Sequence, residues 1–158
     1  FKDIAPCVKA IDCAFWAIDS FDPRGFIDKE YEIVTFNNIN EPEELKKINH
    51  NVVRPFHMQY SYKRENGCDN MMISDTPYDY LTLYANAERV YTDLVHATIV
   101  SIMYGTPVKC WKVDKRAQVF DALEGVKCQD GWYSVPEFTL KEQKKRIVKE
   151  ICNIISGV

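Results

Sequence analysis

The sequence lacks the long apolar runs, the basic excess and the targeting signals that would indicate a membrane or nucleic-acid protein. No apolar run approaches the roughly 20 residues of a membrane-spanning helix, and the start, FKDIAPCVKA, lacks the basic stretch and apolar core of a signal peptide. Acidic residues outnumber basic ones by 23 to 20, so no broad cationic face is expected to neutralise phosphates. We therefore expect a soluble cytoplasmic protein without nucleic-acid partners, and leave attachment to the inner face of a membrane open.

Metal-ligand and disulfide patterns are also missing. The six cysteines include no CxxC pair and no regular spacing, and His50, His57 and His96 do not fall at zinc-ligand spacing from any cysteine pair. Cys110 and Cys152 lie in strongly apolar segments, where a free thiol packs as a small hydrophobic side chain. We therefore predict mostly reduced core thiols, no metal ion and no cofactor.

What the sequence does contain is enough apolar material for one domain. It has 158 residues, 46% of them hydrophobic and 13% aromatic, and no internal repeat or low-complexity tract divides it. Its first residue is Phe1 rather than Met, which suggests a fragment, a processed chain or a shortened one. We expect residues 1–158 to form a single domain and keep a missing partner domain in view.

Short apolar runs alternate with amphipathic segments along the chain. The predicted strands occupy residues 13–21, 30–38, 51–60 and 71–74. The predicted helices occupy residues 41–48, 76–87 and 139–158. Within these segments, Pro55 favours an edge strand or an irregular strand end, and Thr76 followed by Pro77 is a typical helix start. We interpret residues 130–138 as a surface turn pinned by Trp132.

The most regular segment lies between Arg89 and Lys112. It predicts a strand, a helix and a second strand at residues 89–92, 94–104 and 107–112. Thr92 or Asp93 can cap the helix, and Gly105 fits the left-handed residue that ends it. Alternating strands and helices are typical of an α/β domain with a mostly parallel sheet, because parallel strands need crossover connections. The chemistry of such sheets usually lies at the carboxyl ends of the strands.

His96 falls in the first turn of the predicted helix, beside the positive end of the helix dipole. In the structural interpretation, it donates a hydrogen bond to a nearby carbonyl and completes a loop. In the functional interpretation, it contacts an anionic ligand that the unpaired N–H groups of the helix start also bind. The residues around His96 favour the functional interpretation.

These residues resemble the C-terminal motif of the polysaccharide pyruvyl transferase family. In that motif a strand ending in Thr-Asp leads through a short link to a histidine and a helix closed by Gly-x-Pro. The matching residues are Thr92-Asp93, His96-Ala97-Thr98 and Gly105-Thr106-Pro107. The resemblance is strong over residues 85–120 and elsewhere rests on the order of elements. The family often has an arginine two positions before the histidine, where this chain has Leu94.

The resemblance implies a three-layer Rossmann-like domain, similar to the C-terminal half of a GT-B glycosyltransferase fold. Such a fold places two domains on either side of a cleft, so the chain is expected to be the C-terminal half of a longer two-domain enzyme. The family's reaction moves a pyruvyl group from phosphoenolpyruvate onto a sugar of a cell-surface glycan to make a ketal.

The resemblance also implies roles for particular side chains. Phosphoenolpyruvate carries a phosphate and a carboxylate, so its site needs N–H groups, cations and a proton donor or acceptor. His96 is the candidate catalytic residue. The candidate donor-binding residues are Asp93, Thr98, Lys115, Arg116 and Arg54. For Lys115 and Arg116, a solvated charge cluster remains the alternative.

Two other functions stay open at this point. A GT-B glycosyltransferase could hold the diphosphate of a nucleotide-sugar donor at the same helix end. A non-catalytic domain on the same scaffold could bind a ligand or a protein partner. Leu94 favours the non-catalytic domain, whereas His96, together with Asp93, Thr98 and the Lys115-Arg116 pair, favours the transferase.

Overall fold

The computed structural model describes the chain over residues 8–48, 51–56, 70–111 and 115–157. Seven strands in these ranges form one sheet. They are β1 (Glu32–Thr35), β2 (Val52–Pro55), β3 (Met71–Met72), β4 (Arg89–Thr92), β5 (Val108–Cys110), β6 (Lys127–Gln129) and β7 (Trp132–Ser134). The α-helices are α1 (Ala17–Ser20), α2 (Pro77–Asn86), α3 (Val95–Tyr104) and α4 (Glu137–Ser156). Short 3-10 segments are Cys13–Trp16, Leu45–Lys47 and Lys115–Ala122.

The strands are arranged in the order β3-β2-β1-β4-β5-β7-β6. Strands β1 to β5 pair in parallel, and β7 pairs antiparallel with both β5 and β6. The chain winds outward from β1 to β3, then returns to place β4 on the other side of β1. This reversal is the doubly wound pattern and confirms the predicted α/β Rossmann-like class with a mostly parallel sheet.

The two faces of the sheet are covered unequally. Alternate residues of a strand point to opposite faces, and Ile33 and Val90 enter the main core with the buried side chains of α2, α3 and α4. Their neighbours Val34 and Tyr91 enter a smaller core on the other face, together with Leu45 from the 3-10 turn between β1 and β2. The sheet therefore lies between a thick helical layer and a thin one.

The predicted strand, helix and strand over residues 89–112 are confirmed as β4, α3 and β5. Gly105 adopts φ 76°, the left-handed conformation that ends α3. The predicted start of α2 is also confirmed, since the Thr76 side chain accepts a hydrogen bond from the N–H of Tyr78. These signals are local in sequence, which explains why they could be read directly.

The predicted strand at residues 13–21 is wrong. The segment forms a 3-10 turn followed by α1, and the Asp12 carboxylate caps the turn by accepting a hydrogen bond from the Ala14 N–H at 2.8 Å. Phe15 is completely buried in the main core. A short apolar run suits a buried helical turn as well as a strand, so periodicity alone could not separate them.

Residues 130–138 contain more than the predicted surface turn, because β6 and β7 form a hairpin. Asp130 and Gly131 connect the two strands with φ values of 50° and 82°. Positive φ at both central residues is typical of the tight type I′ turn that Asp-Gly sequences favour. The Asp-Gly pair was therefore a hairpin signal in the sequence.

Four further segments are shorter than predicted, and two of them are the strands expected at residues 30–38 and 71–74, which are β1 and β3. The helix expected at residues 41–48 is the single 3-10 turn Leu45–Lys47, and the strand expected at 51–60 is described only as β2, since residues 57–60 lie outside the described ranges. Pro55 ends β2, although β2 lies between β1 and β3. The N–H groups of the flanking residues, Arg54 and Phe56, donate to β3 and its preceding residue, so the missing N–H of Pro55 leaves this ladder intact.

The predicted terminal helix is confirmed as α4, with Leu140 and Ile147 in the main core. The four described cysteines are free thiols, but the prediction of mostly core thiols is wrong for them, because Cys110 is buried whereas Cys13, Cys128 and Cys152 are exposed. Cys7 and Cys68 lie outside the described residues. Within the described ranges, no helix is long and apolar enough to cross a membrane, and no group of three or more metal-ligating side chains occurs.

Candidate functional site

The carboxyl ends of β1 and β4 meet at the point where the strand order reverses, and the Asp93 side chain connects them. Its carboxylate accepts hydrogen bonds from the backbone N–H groups of Asn37, Asn38 and Ile39 at 3.0, 2.7 and 2.9 Å. Asp93 is only 2% exposed. It therefore fixes the loop after β1, and the prediction that it caps α3 is wrong because its oxygens point to this loop.

The start of α3 carries backbone donors that find no acceptor among the described residues. Leu94 is the N-cap residue and provides no side-chain cap, while the Thr92 hydroxyl accepts from the Leu94 N–H at 2.9 Å rather than from the helix. The first hydrogen bond into the helix runs from the Thr98 N–H to the Leu94 carbonyl. Among the described residues, the N–H groups of positions 95–97 have no acceptor, which is the arrangement that favours an anion.

His96 is exposed and lies on the wall of a cleft of about 380 Å³ between α2 and α3. Apolar side chains such as Leu81, Leu94 and Val100 form most of this wall. Asn37, from the loop that Asp93 fixes, reaches the same cleft. The structure thus places His96 at the mouth of an apolar cleft beside the unpaired N–H groups, as a helix-start residue and not a core residue.

Two tyrosines of α2 also line the cleft, but their hydroxyl groups interact with other parts of the protein. The Tyr80 hydroxyl donates to the Phe56 carbonyl at 2.7 Å and accepts from the Ser74 N–H at 3.0 Å. Burial raises the pKa of Tyr84 well above its ordinary value, so this side chain stays neutral at physiological pH. His96 and Asn37 are therefore the polar side chains in the lining that can turn to a ligand.

Thr98 lies next to the cleft but not in its wall. It is fully buried, and its hydroxyl donates to the Leu94 carbonyl at 3.0 Å. This bond ties the first turn of α3 to the residue before it. Any contribution of Thr98 to donor binding would therefore act through the shape of the helix start.

Arg54 lies in a neighbouring cleft at the carboxyl ends of β1 and β2, which also reaches Asn37. Its guanidinium forms two hydrogen bonds to the Glu41 carboxylate, from Nε at 3.0 Å and from the terminal nitrogen at 2.7 Å. Both side chains are largely shielded from solvent. The structure therefore gives Arg54 a partner and does not place it in the cleft of His96.

Lys115 and Arg116 begin the 3-10 segment that follows β5, and both are exposed. Ala117 and Phe120 anchor this segment in the main core. Because β5 is the parallel neighbour of β4, the segment starts from the same edge of the sheet as α3. Neither cation lines the cleft of His96.

Asn37 is the site residue that the sequence analysis missed. It follows β1, whereas the candidate residues predicted from the sequence follow mainly β4 and β5. Its position becomes meaningful only when β1 and β4 are known to be neighbours, and that pairing joins residues more than 50 positions apart. The one sequence signal was the polar pair Asn37-Asn38 directly after an apolar strand.

Comparison with known proteins gives one match. The family model for polysaccharide pyruvyl transferases matches residues 3–110, which is more than half of the chain and includes β1 to β5 with α3. Lys115 and Arg116 lie beyond the matched residues. Searches of curated proteins and of solved structures returned no match.

Proposed function

The chain belongs to the polysaccharide pyruvyl transferase family, and from this premise we propose that it binds phosphoenolpyruvate at the start of α3 and takes part in pyruvyl transfer to a glycan. The observation that carries this proposal is the position of His96. It stands exposed beside unpaired N–H groups at the carboxyl edge where β1 and β4 meet. In doubly wound sheets, ligands bind at this reversal of strand order.

The donor's phosphate or carboxylate would accept hydrogen bonds from the N–H groups of residues 95–97. The helix dipole adds a partial positive charge at the same point. Asp93 would contribute by holding Asn37 and its loop beside the helix start, and Thr98 by bonding the Leu94 carbonyl. Both residues thus position the donor site in the proposal without touching the donor.

The reaction needs a proton relay, and His96 is the proposed group. Ketal formation joins two sugar hydroxyl oxygens to the central carbon of phosphoenolpyruvate while the bond from that carbon to the phosphate oxygen breaks. One hydroxyl proton ends on the methylene carbon, which becomes a methyl group, and the other leaves with the phosphate. An imidazole is suited to accept and return such a proton near neutral pH.

Countercharge for the donor is proposed to come from Lys115 or Arg116, which follow the strand next to β4. Arg54 could contribute only by exchanging Glu41 for the donor. The remaining wall of the active site is proposed to come from an N-terminal domain, as in the two-domain GT-B arrangement. The glycan acceptor would then bind between the two domains.

A second candidate is a non-catalytic ligand-binding domain on the same scaffold. The observation that favours it is the apolar wall of the cleft, in which Leu94 stands where the family often has arginine. No lysine or arginine of the described residues lines this cleft.

A nucleotide-sugar donor would use the same helix end. Competition between a nucleotide sugar and phosphoenolpyruvate for binding to the protein distinguishes the two donors.

The proposal is tested by paired measurements on His96→Ala. We expect phosphoenolpyruvate affinity, measured by calorimetry, to fall about tenfold or more, since a hydrogen bond to a charged group is lost. The melting temperature should change by no more than about 2 °C, because the side chain is exposed. Lys149→Ala, an exposed change on α4, is the control for loss of a surface side chain. Lower stability with unchanged affinity would show that His96 is structural.

A further inference from the structure

Two aromatic pairs lie on the sheet face opposite to α2 and α3. The ring centroids of Phe36 and Trp111 are 5.2 Å apart with an interplanar angle of 69°. Those of Tyr91 and Trp132 are 5.4 Å apart at 67°. Both are edge-to-face contacts, the geometry that aromatic rings prefer. The four side chains form what we call the aromatic platform.

The aromatic platform reaches the same edge of the sheet as the proposed donor site. Phe36 directly follows β1 and Trp111 directly follows β5, so the two rings flank the end of β4. The backbone N–H of Trp111 donates to the Thr92 carbonyl at 2.9 Å. This bond holds Trp111 beside the end of β4, two residues before Leu94, the N-cap of α3. A ligand crossing this edge would meet both the aromatic rings and the start of α3.

The rings are only partly covered. Tyr91 is buried, whereas Phe36, Trp111 and Trp132 are half-buried at the rim of the smaller core. The exposed parts of Phe36, Trp111 and Trp132 leave apolar ring surface at this rim that a ligand can cover.

A cation is positioned on this surface. The Lys109 ammonium lies 5.1 Å from the centroid of the Trp111 ring. Among the described residues, no carboxylate forms an ion pair with it. The hairpin turn lies beside its stem, since Cγ and Cε of Lys109 are 3.5 and 3.7 Å from the position that a Cβ added at Gly131 would take, which is ordinary packing distance.

We propose that the aromatic platform binds an acidic saccharide unit of the glycan acceptor. The apolar C–H face of a pyranose ring would pack on Trp111, and a sugar carboxylate would pair with Lys109. This proposal rests on the proposed function, which requires a glycan at this edge of the sheet. Partly exposed aromatic rings, an ammonium that pairs with no carboxylate of the described residues, and access to the donor site together fit a saccharide that is amphipathic and anionic.

The test uses an array of acidic and neutral cell-surface oligosaccharides, with affinities for the bound members measured by calorimetry. We expect acidic members to bind. Trp111→Ala should weaken their binding about tenfold. Lys109→Gln should lower binding of acidic members to the level of neutral ones, and it keeps the test decisive if Trp111→Ala fails to fold. Lys149→Gln, on α4, removes an equivalent charge elsewhere and should change nothing.

Two results would overturn the proposal: no array member binds the unchanged protein, or both platform variants bind as it does. Phosphoenolpyruvate binding is measured on the same samples. Donor binding without glycan binding would reject the platform alone. Glycan binding without donor binding would reject the proposed function and leave the platform in place.

Discussion

At the scale of single residues, the Asp93 carboxylate is the group that connects the ends of β1 and β4. It is buried and satisfies three consecutive N–H groups of the loop after β1. Hydrogen bonds to a charged acceptor are stronger than those between neutral groups. A buried donor that loses its acceptor destabilises the fold by its full desolvation free energy. Asp93 is therefore expected to hold the geometry of the whole edge.

We predict that Asp93→Asn destabilises the protein by about 2 kcal/mol, because one carboxylate oxygen becomes an NH₂ group that faces backbone N–H donors. Urea denaturation would measure the loss. Asp121→Asn, an exposed change of the same kind, is the control and should alter stability by less than about 0.5 kcal/mol. Equal stabilities of the two variants would show that the loop does not depend on Asp93.

The contrast between Asp93 and His96 shows what the sequence could reveal about the site. The position of His96 was predictable, since the strand before it, the helix after it and Gly105 are signalled by neighbouring residues. The partners of Asp93 lie more than 50 positions away. Only the pairing of β1 with β4 brings them together, and side-chain direction depends on that pairing.

At the scale of elements, α4 consists of two different halves. Leu140, Gln143, Lys144 and Ile147, in the part of α4 up to its middle, are buried. Ile151, Ile154 and Ile155 continue its apolar residues but are 41%, 38% and 80% exposed. The hydrophobic periodicity predicted the helix correctly, yet it could not show where contact with the core ends, because the sequence pattern is the same in both halves.

This difference gives a matched pair of substitutions within one helix. Ile147→Ala should destabilise the protein by about 3 kcal/mol, since it leaves a cavity in the main core. Ile155→Ala should change stability by less than about 0.5 kcal/mol, because the side chain is mostly in solvent and alanine favours helix. Urea denaturation of both variants checks the prediction. A similar loss in both would mean that the end of α4 is covered in solution.

The predictions of secondary structure that were wrong or incomplete have identifiable physical reasons. The run at residues 13–21 is too short for periodicity to distinguish a strand from a helical turn, and its outcome depended on the Asp12 cap. The hairpin of β6 and β7 has strands of three residues each, too short to show alternation. The Asp-Gly turn was the signal that remained.

At the scale of the whole molecule, the strand order determines which residues lie together at the candidate site. The reversal between β1 and β4 selects one edge of the sheet, and His96, Asn37 and the aromatic platform all lie along it. The fold class was predictable from the alternation of elements, but the strand order was not. The residues of a site formed by neighbouring strands could therefore be found only in part before the pairing was known.

The proposed second domain leads to a prediction about the chain as a unit. The described residues form an extensive core of their own around Ile33, Val90 and Ile99, so donor binding at the start of α3 should not require another domain. Turnover should require one, because no lysine or arginine of the described residues lines the His96 cleft and the acceptor is proposed to bind between two domains. We expect residues 1–158 alone to bind phosphoenolpyruvate in calorimetry but to release no phosphate above background when a glycan is added.

A polypeptide that also carries the N-terminal domain should release phosphate, and His96→Ala in that polypeptide should abolish the release. Phosphate release by residues 1–158 alone, lost on His96→Ala, would show that the reaction needs no second domain.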